Sequence, residues 1–263
     1  MQLPSTSFLG DSKRINFING CNLALTSYNH TAEFEEKHTH ENPSVSLLLK
    51  GAYQEDISGS LFKRQPGDLK FVDGGQSHRC YNYSIDTVKI NLEFTPEFFA
   101  TTKLSSKFIG DIAENYLNKI TLIKLYHGFI EEQTPITASS QLLLFQLFNQ
   151  PVINVTAKAA PQWVDRLRTL LHDEWDGNFD LQYLSAVLGV HPVTISKWFP
   201  FYFKMTLSEY LRLIKVEKAI SLLKNTKSGL SEIAYACGFA DQAHFTRTFK
   251  AATSFLPKDF RKI

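Results

Sequence analysis

Three groups of residues in this 263-residue chain have types and spacings that could do chemistry. Gln242, Ala243, His244, Thr246 and Arg247 surround an apolar pair four residues apart, Phe245 and Phe249. On a helix such a pair faces a core and leaves the other five residues on the opposite side. Glutamine can pair bidentately with adenine there, and arginine with guanine. Val193, Thr194, Ser196 and Lys197 surround Ile195 and Phe199 in the same way. Val193 could touch a thymine methyl, while Ser196 and Lys197 could reach bases or phosphates. The third group is His38, His40 and His78. Three imidazoles can ligate zinc or iron, or they can line a ligand pocket.

The first two groups belong to one pattern written twice. Leu184 to Val190, then His191 to Phe199, form the first copy; Ile233 to Phe239, then Asp241 to Phe249, form the second. Each copy is a short apolar-periodic helix, a Gly-apolar turn and a second helix. Gly189 and Gly238 permit the positive φ that ends the first helix. Lys197 and Arg247 occupy the same place in their helices. A repeated unit of this kind presents two helices to one partner, and DNA offers successive major grooves about 34 Å apart.

Local signals predict seven helices from Ala160 onward. The first covers about Gln162–Asp173. Asp180 caps the second, and Pro192 opens the third. Thr206-Leu207-Ser208-Glu209 is a capping box before a long fourth helix. The fifth begins near Ser231, Asp241 caps the sixth, and Pro257 opens the seventh.

This stretch resembles the C-terminal DNA-binding domain of the AraC/XylS family of bacterial transcription regulators. The second copy carries the strongest match, from Glu232-Ile233-Ala234 through Gly238-Phe239 to Lys250, closing at Pro257-Lys258-Asp259-Phe260-Arg261. The segment from Glu209 to Leu223 fits the family's long linker helix. The first copy departs from the pattern. Pro200 directly follows Phe199, Lys204 and Ser254 stand where the family often has glycine, and His191 replaces the usual serine cap. Base reading is therefore expected chiefly from the second copy. The aromatic run Trp198 to Phe203 is expected to be core rather than a stacking platform.

The first 93 or so residues read as short strands between Gly and Pro turns, among them Val45–Leu49, Leu69–Val72 and Val88–Phe94. They suggest a small antiparallel barrel or jelly roll. Helical spacing follows Thr95, and a second helix is expected over Ser139–Phe148. Two segments, His38 to Gly51 and Gly67 to Asn82, resemble the cupin motifs. In metal-binding cupins two histidines, a glutamate a few residues on and a later histidine hold a divalent ion. His38, His40 and His78 fit, but Ser44 or Val45 stands at the glutamate position, and Glu41 comes too early. No metal and no cofactor are expected, and the three histidines become candidates for an effector pocket.

The expected architecture is α+β with two domains. Residues 1–150 form a cupin-like antiparallel β-barrel with following helices, for sensing and dimerisation. Residues 151–160 form a linker, and residues 161–263 an all-α domain of seven helices with two helix-turn-helix motifs. From Ala160 onward there are 14 Lys/Arg against 10 Asp/Glu, and before it 14 against 16. A basic half that meets DNA and a more acidic sensor half fit that asymmetry. Three scattered cysteines exclude a disulfide framework, and no apolar run reaches membrane-spanning length. A cytoplasmic location without membrane association follows by default. The resemblance implies a non-enzymatic, sequence-specific regulator, an activator of transcription, with double-stranded DNA, a small-molecule effector, a second copy of the chain and RNA polymerase as candidate partners. Two other readings stay open. One is a metal-dependent cupin enzyme with a DNA-binding tail. The other is a regulator whose N-terminal half only mediates dimerisation or protein interaction.

Overall fold

The computed structural model describes the whole chain except residues 6, 19, 30–34, 116, 132–137, 149–159 and 178. Ten strands come first: β1 (Gln2–Leu3), β2 (Asp11–Ile18), β3 (Cys21–Tyr28), β4 (Thr39–His40), β5 (Ser44–Lys50), β6 (Tyr53–Ile57), β7 (Ser60–Arg64), β8 (Leu69–Val72), β9 (His78–Tyr81) and β10 (Thr87–Phe94). Four helices follow: α1 (Pro96–Thr102), α2 (Ser106–Glu114), α3 (Asn118–Glu131) and α4 (Ala138–Phe148). The strands and helices expected from alternation and periodicity are present. The linker expected at 151–160 lies, but for Ala160, outside the described residues.

The closed cupin-like barrel is not. The strands form separate sheets, one of five strands in the order β2-β3-β10-β5-β8, one of three in the order β7-β6-β9, and a two-stranded parallel pair β1-β4. Among the described residues, one isolated bridge from His38 to His78 adds to these ladders, and none closes the sheets into a cylinder. Tyr28 and Leu48 of the larger sheet meet Tyr53 and Cys80 of the smaller in one buried cluster. The sheets thus face each other and remain open at their edges. Inward and outward residues alternate alike in a barrel and in two facing sheets, so alternation alone cannot tell them apart.

Strand β10 shows what each face of the larger sheet does. Ile90, Leu92 and Phe94 are buried in the main apolar core. Phe94 meets Phe98 of α1 and Phe148 of α4 at ring distances of 5.1 and 5.7 Å. The alternate residues Lys89, Asn91 and Glu93 are buried as well. Helices cover one face, and the other encloses polar groups.

The C-terminal half is helical: α5 (Gln162–Asp173), α6 (Leu181–Leu188), α7 (Pro192–Phe203), α8 (Leu207–Asn225), α9 (Leu230–Ala236), α10 (Gln242–Thr253) and α11 (Pro257–Phe260). The capping signals are realised. The Asp180 carboxylate accepts from the Tyr183 N–H at 2.7 Å, and Asp241 from the His244 N–H at 2.6 Å. Thr206 and Glu209 close the capping box. Gly189 and Gly238 sit at φ 67° and 68°, ending α6 and the turn after α9. Lys204 and Ser254 end α7 and α10 in the same left-handed region, at φ 58° and 71°, without glycine's freedom. Pro200 does not break α7, which runs on to Phe203.

The two halves pack together. Helix α3 lies against α10, and Tyr126 and His127 of α3 meet the ring of Phe255, just past α10, at 6.0 and 4.5 Å. Lys119 of α3 donates to Glu217 of α8 at 2.6 Å, both largely buried.

Candidate nucleic-acid interface and sensor pocket

Helix α10 buries Phe245 and Phe249 completely. Phe249 meets Phe260 of α11 at 5.6 Å, and Phe245 meets Phe239 of the preceding turn at 5.3 Å. This anchoring fixes the rotation of the helix. Gln242, Ala243 and Arg247 stand exposed on its outer side, whereas His244 and Thr246 are half-buried. The His244 ring packs edge-on against Phe239 at 5.5 Å, which limits its reach. Gln242 accepts from the Ser231 hydroxyl at 2.6 Å, so its side chain is pre-positioned by α9. The Asp241 carboxyl, bonded to the His244 N–H, is held below its ordinary range.

Helix α7 is anchored alike: Ile195 and Phe199 are buried, and Phe199 stacks on Phe203 at 4.1 Å. Its exposed side carries Val193, Ser196 and Lys197, with Thr194 half-buried. His191 takes over the missing serine cap, its Nδ1 accepting from the Val193 N–H at 3.3 Å. The aromatic run divides. Phe199 and Phe203 are core, as expected, but Trp198 and Phe201 are 41% and 57% exposed. Lys197 and Lys204 lie over these rings at 5.8 and 4.9 Å. The outer side of α7 is thus aromatic and cationic, where that of α10 offers an amide and a guanidinium. Helix α8 packs against both α7 and α10, so one long element sets their relative placement.

His38, His40 and His78 converge between the two sheets. Their nearest ring nitrogens all lie within 4.8 Å of one another, and all three side chains are buried. His38 Nδ1 and His78 Nδ1 bond to the Glu36 and Gln76 carbonyls at 2.9 and 3.2 Å. Burial pushes the pKa of His40 down to about 4 and that of His78 to about 3, so both rings are neutral near pH 7. Neutral, oriented imidazoles are what a transition ion needs. The surroundings oppose one. Lys70 and Lys89 line the same pocket and bear on His40 and His78 as positive charges. The cavity holds about 30 Å³, room for a water or so.

The sequence reading missed the groups that give this pocket its charge. Lys89 lies over the rings of Tyr28, Tyr53 and Tyr83 at 4.6, 4.8 and 5.2 Å, a buried cation in an aromatic cage. Its Nζ donates to the Tyr83 hydroxyl at 3.2 Å, which donates to Glu35 at 2.8 Å. Glu55, fully buried, accepts from Lys70 and, at 2.9 Å, from Arg64. Burial resists ionisation of Glu55, but these two cations outweigh it and hold its pKa below the ordinary value. Charged residues on a strand otherwise rich in Ile and Leu were the available signal, and alternation assigned them to solvent.

Comparison with known proteins agrees with the C-terminal reading. A helix-turn-helix domain family model matches residues 184–263. The transcriptional activator RhaR of Cronobacter sakazakii is 25% identical over 249 residues, covering 86% of each chain. The transcriptional activator RhaS of Shigella flexneri is 24% identical over 267 residues, covering 94% of this chain and 95% of its own. Among solved structures, the C-terminal domain of AraT, a response regulator from Geobacillus stearothermophilus, is 27% identical with a TM-score of 0.36, covering 39% of this chain and 85% of that one. The chain is a DNA-binding transcription regulator with AraC/XylS character in its C-terminal half, and it is not an enzyme. The cupin identification of the N-terminal half is corrected by its open sheets. No helix among the described residues is long and apolar enough to cross a membrane.

Proposed function

We propose that this regulator is a cytoplasmic activator in which residues 1–150 sense an effector and dimerise, residues 151–160 link, and residues 161–263 read paired DNA half-sites. The observation that carries the DNA reading is the outer side of α10, where Gln242 and Arg247 stand exposed over a buried Phe245–Phe249 stripe. Guanine and adenine edges suit these two side chains. RNA polymerase is the partner an activator must meet. The second copy is supported by α4, where Leu142 and Phe145 are 55% and 63% exposed opposite the buried Leu144 and Leu147. The test compares the full chain with the segment 160–263 on one half-site and on two, at fixed salt. The full chain should gain up to about a hundredfold on the double site, because a dimer raises the effective concentration of its second reading unit. Equal affinities would remove dimerisation from the model.

His38, His40 and His78 are proposed to line the effector pocket without a resident metal. The support is electrostatic: an ion would enter beside two ammonium groups, with three ligands and no carboxylate among them. Protein purified without added metal should contain well below one equivalent of zinc or iron by elemental analysis. A stoichiometric ion, lost in both His38→Ala and His78→Ala, would overturn this and reopen the enzyme reading of the N-terminal half.

A further inference from the structure

A roomier cleft than the histidine pocket lies where the two halves meet. It encloses about 350 Å³, within the range of small-molecule sites. Ile120 of α3, Phe145 of α4, Leu213 of α8 and Ala252 of α10 give it apolar walls, with Met205 of the α7–α8 turn. Two ammonium groups enter from opposite halves, Lys124 from α3 and Lys204 from the end of α7. No carboxylate is among its described lining residues, and neither lysine has an ion pair among the described residues. Lys124 is half-buried, and burial alone, with no acid to offset it, lowers its pKa. Lys204 is held in place by its left-handed backbone and by the Phe201 ring beneath it.

Apolar walls with two uncompensated cations are complementary to an anion carrying an apolar body. The apolar part gains by leaving water, and the anion supplies the missing counter-charge. The position has a consequence. Lys204 closes the first recognition helix, Ala252 lies in the last turn of the second, and the remaining walls come from the sensor half. An occupant would touch the ends of both recognition helices and the helices that dock on them.

We propose that this cleft is a second effector site, for a small apolar carboxylate clamped between Lys124 and Lys204. The proposal does not depend on the histidine pocket and goes beyond the DNA-binding reading.

The test uses the full chain and three probes of one shape: phenylbutyrate, phenylbutanol and phenylbutylamine. Calorimetry should show saturable one-to-one binding of the carboxylate, at least tenfold weaker binding of the alcohol, and none of the amine. Lys124→Gln and Lys204→Gln should each weaken phenylbutyrate at least tenfold. Ala252→Leu, which fills the cleft and keeps every charge, should weaken all binding alike. His78→Ala should leave phenylbutyrate binding unchanged. Saturating phenylbutyrate should shift DNA affinity severalfold in the wild type and not in Lys124→Gln. Equal binding of alcohol and carboxylate, indifference to both lysine substitutions, or loss in His78→Ala would overturn the proposal. DNA affinity of the ligand-free chain is measured alongside, so that failure of the DNA reading is recognised separately.

Discussion

The two recognition helices share one buried design and differ on the side that meets a partner. Ile195 and Phe199 in α7 match Phe245 and Phe249 in α10, and all four are fully buried. Outside, α10 presents Gln242 and Arg247, side chains with directional donors and acceptors. Helix α7 presents Val193, Ser196 and Lys197, then the exposed rings of Trp198 and Phe201. A repeat constrained by packing keeps its inner stripe in both copies, since a truncated core aromatic leaves a cavity. The outer side is free to diverge, because a solvated side chain contributes little to stability. Equal stability roles and unequal reading roles follow from that difference.

The largest expected effect tests the shared half of the comparison. Phe199→Ala and Phe249→Ala should each destabilise the chain by about 3–5 kcal/mol, through lost burial and an unfilled cavity. Urea unfolding followed by tryptophan fluorescence and by circular dichroism would measure both. If Phe199→Ala cost under 1 kcal/mol while Phe249→Ala cost several, the first copy would not be packed as the second is.

Arg247→Ala tests the unequal half. It should weaken specific binding by roughly 1–3 kcal/mol and relax the preference at one base pair. Competition binding against a library of single-base variants reads this directly. Equal losses on specific and random DNA would place Arg247 on phosphate, and the distinction between the helices would shrink.

Lys197→Ala should give the smallest change. A compact, exposed ammonium beside Trp198 suits phosphate contact, so affinity should fall uniformly across sequences and the salt slope by about one unit. A base preference lost under the first helix, as sharp as that lost with Arg247, would give both copies the same reading role.

The sequence by itself determined the helical half almost completely. Its caps, its opening prolines and its 3.6-residue periodicity are local signals, and each of Asp180, Pro192, Thr206, Asp241 and Pro257 starts a helix where expected. The strands of the N-terminal half were legible for the same reason. Their assembly was not. Whether strands close into a barrel depends on which edges pair, and no local pattern encodes that choice. Lys89, Asn91 and Glu93 look solvent-facing by alternation, yet a second sheet covers them and turns a polar face into a pocket interior. The division of Trp198 to Phe203 into core and surface also needed the tertiary structure, because consecutive aromatics carry no periodicity of their own. The cleft between Lys124 and Lys204 exists only because α3 docks on α10, a contact between segments more than a hundred residues apart in the chain. Local chemistry fixes where elements begin and what they can expose; long-range packing decides which of those surfaces meet.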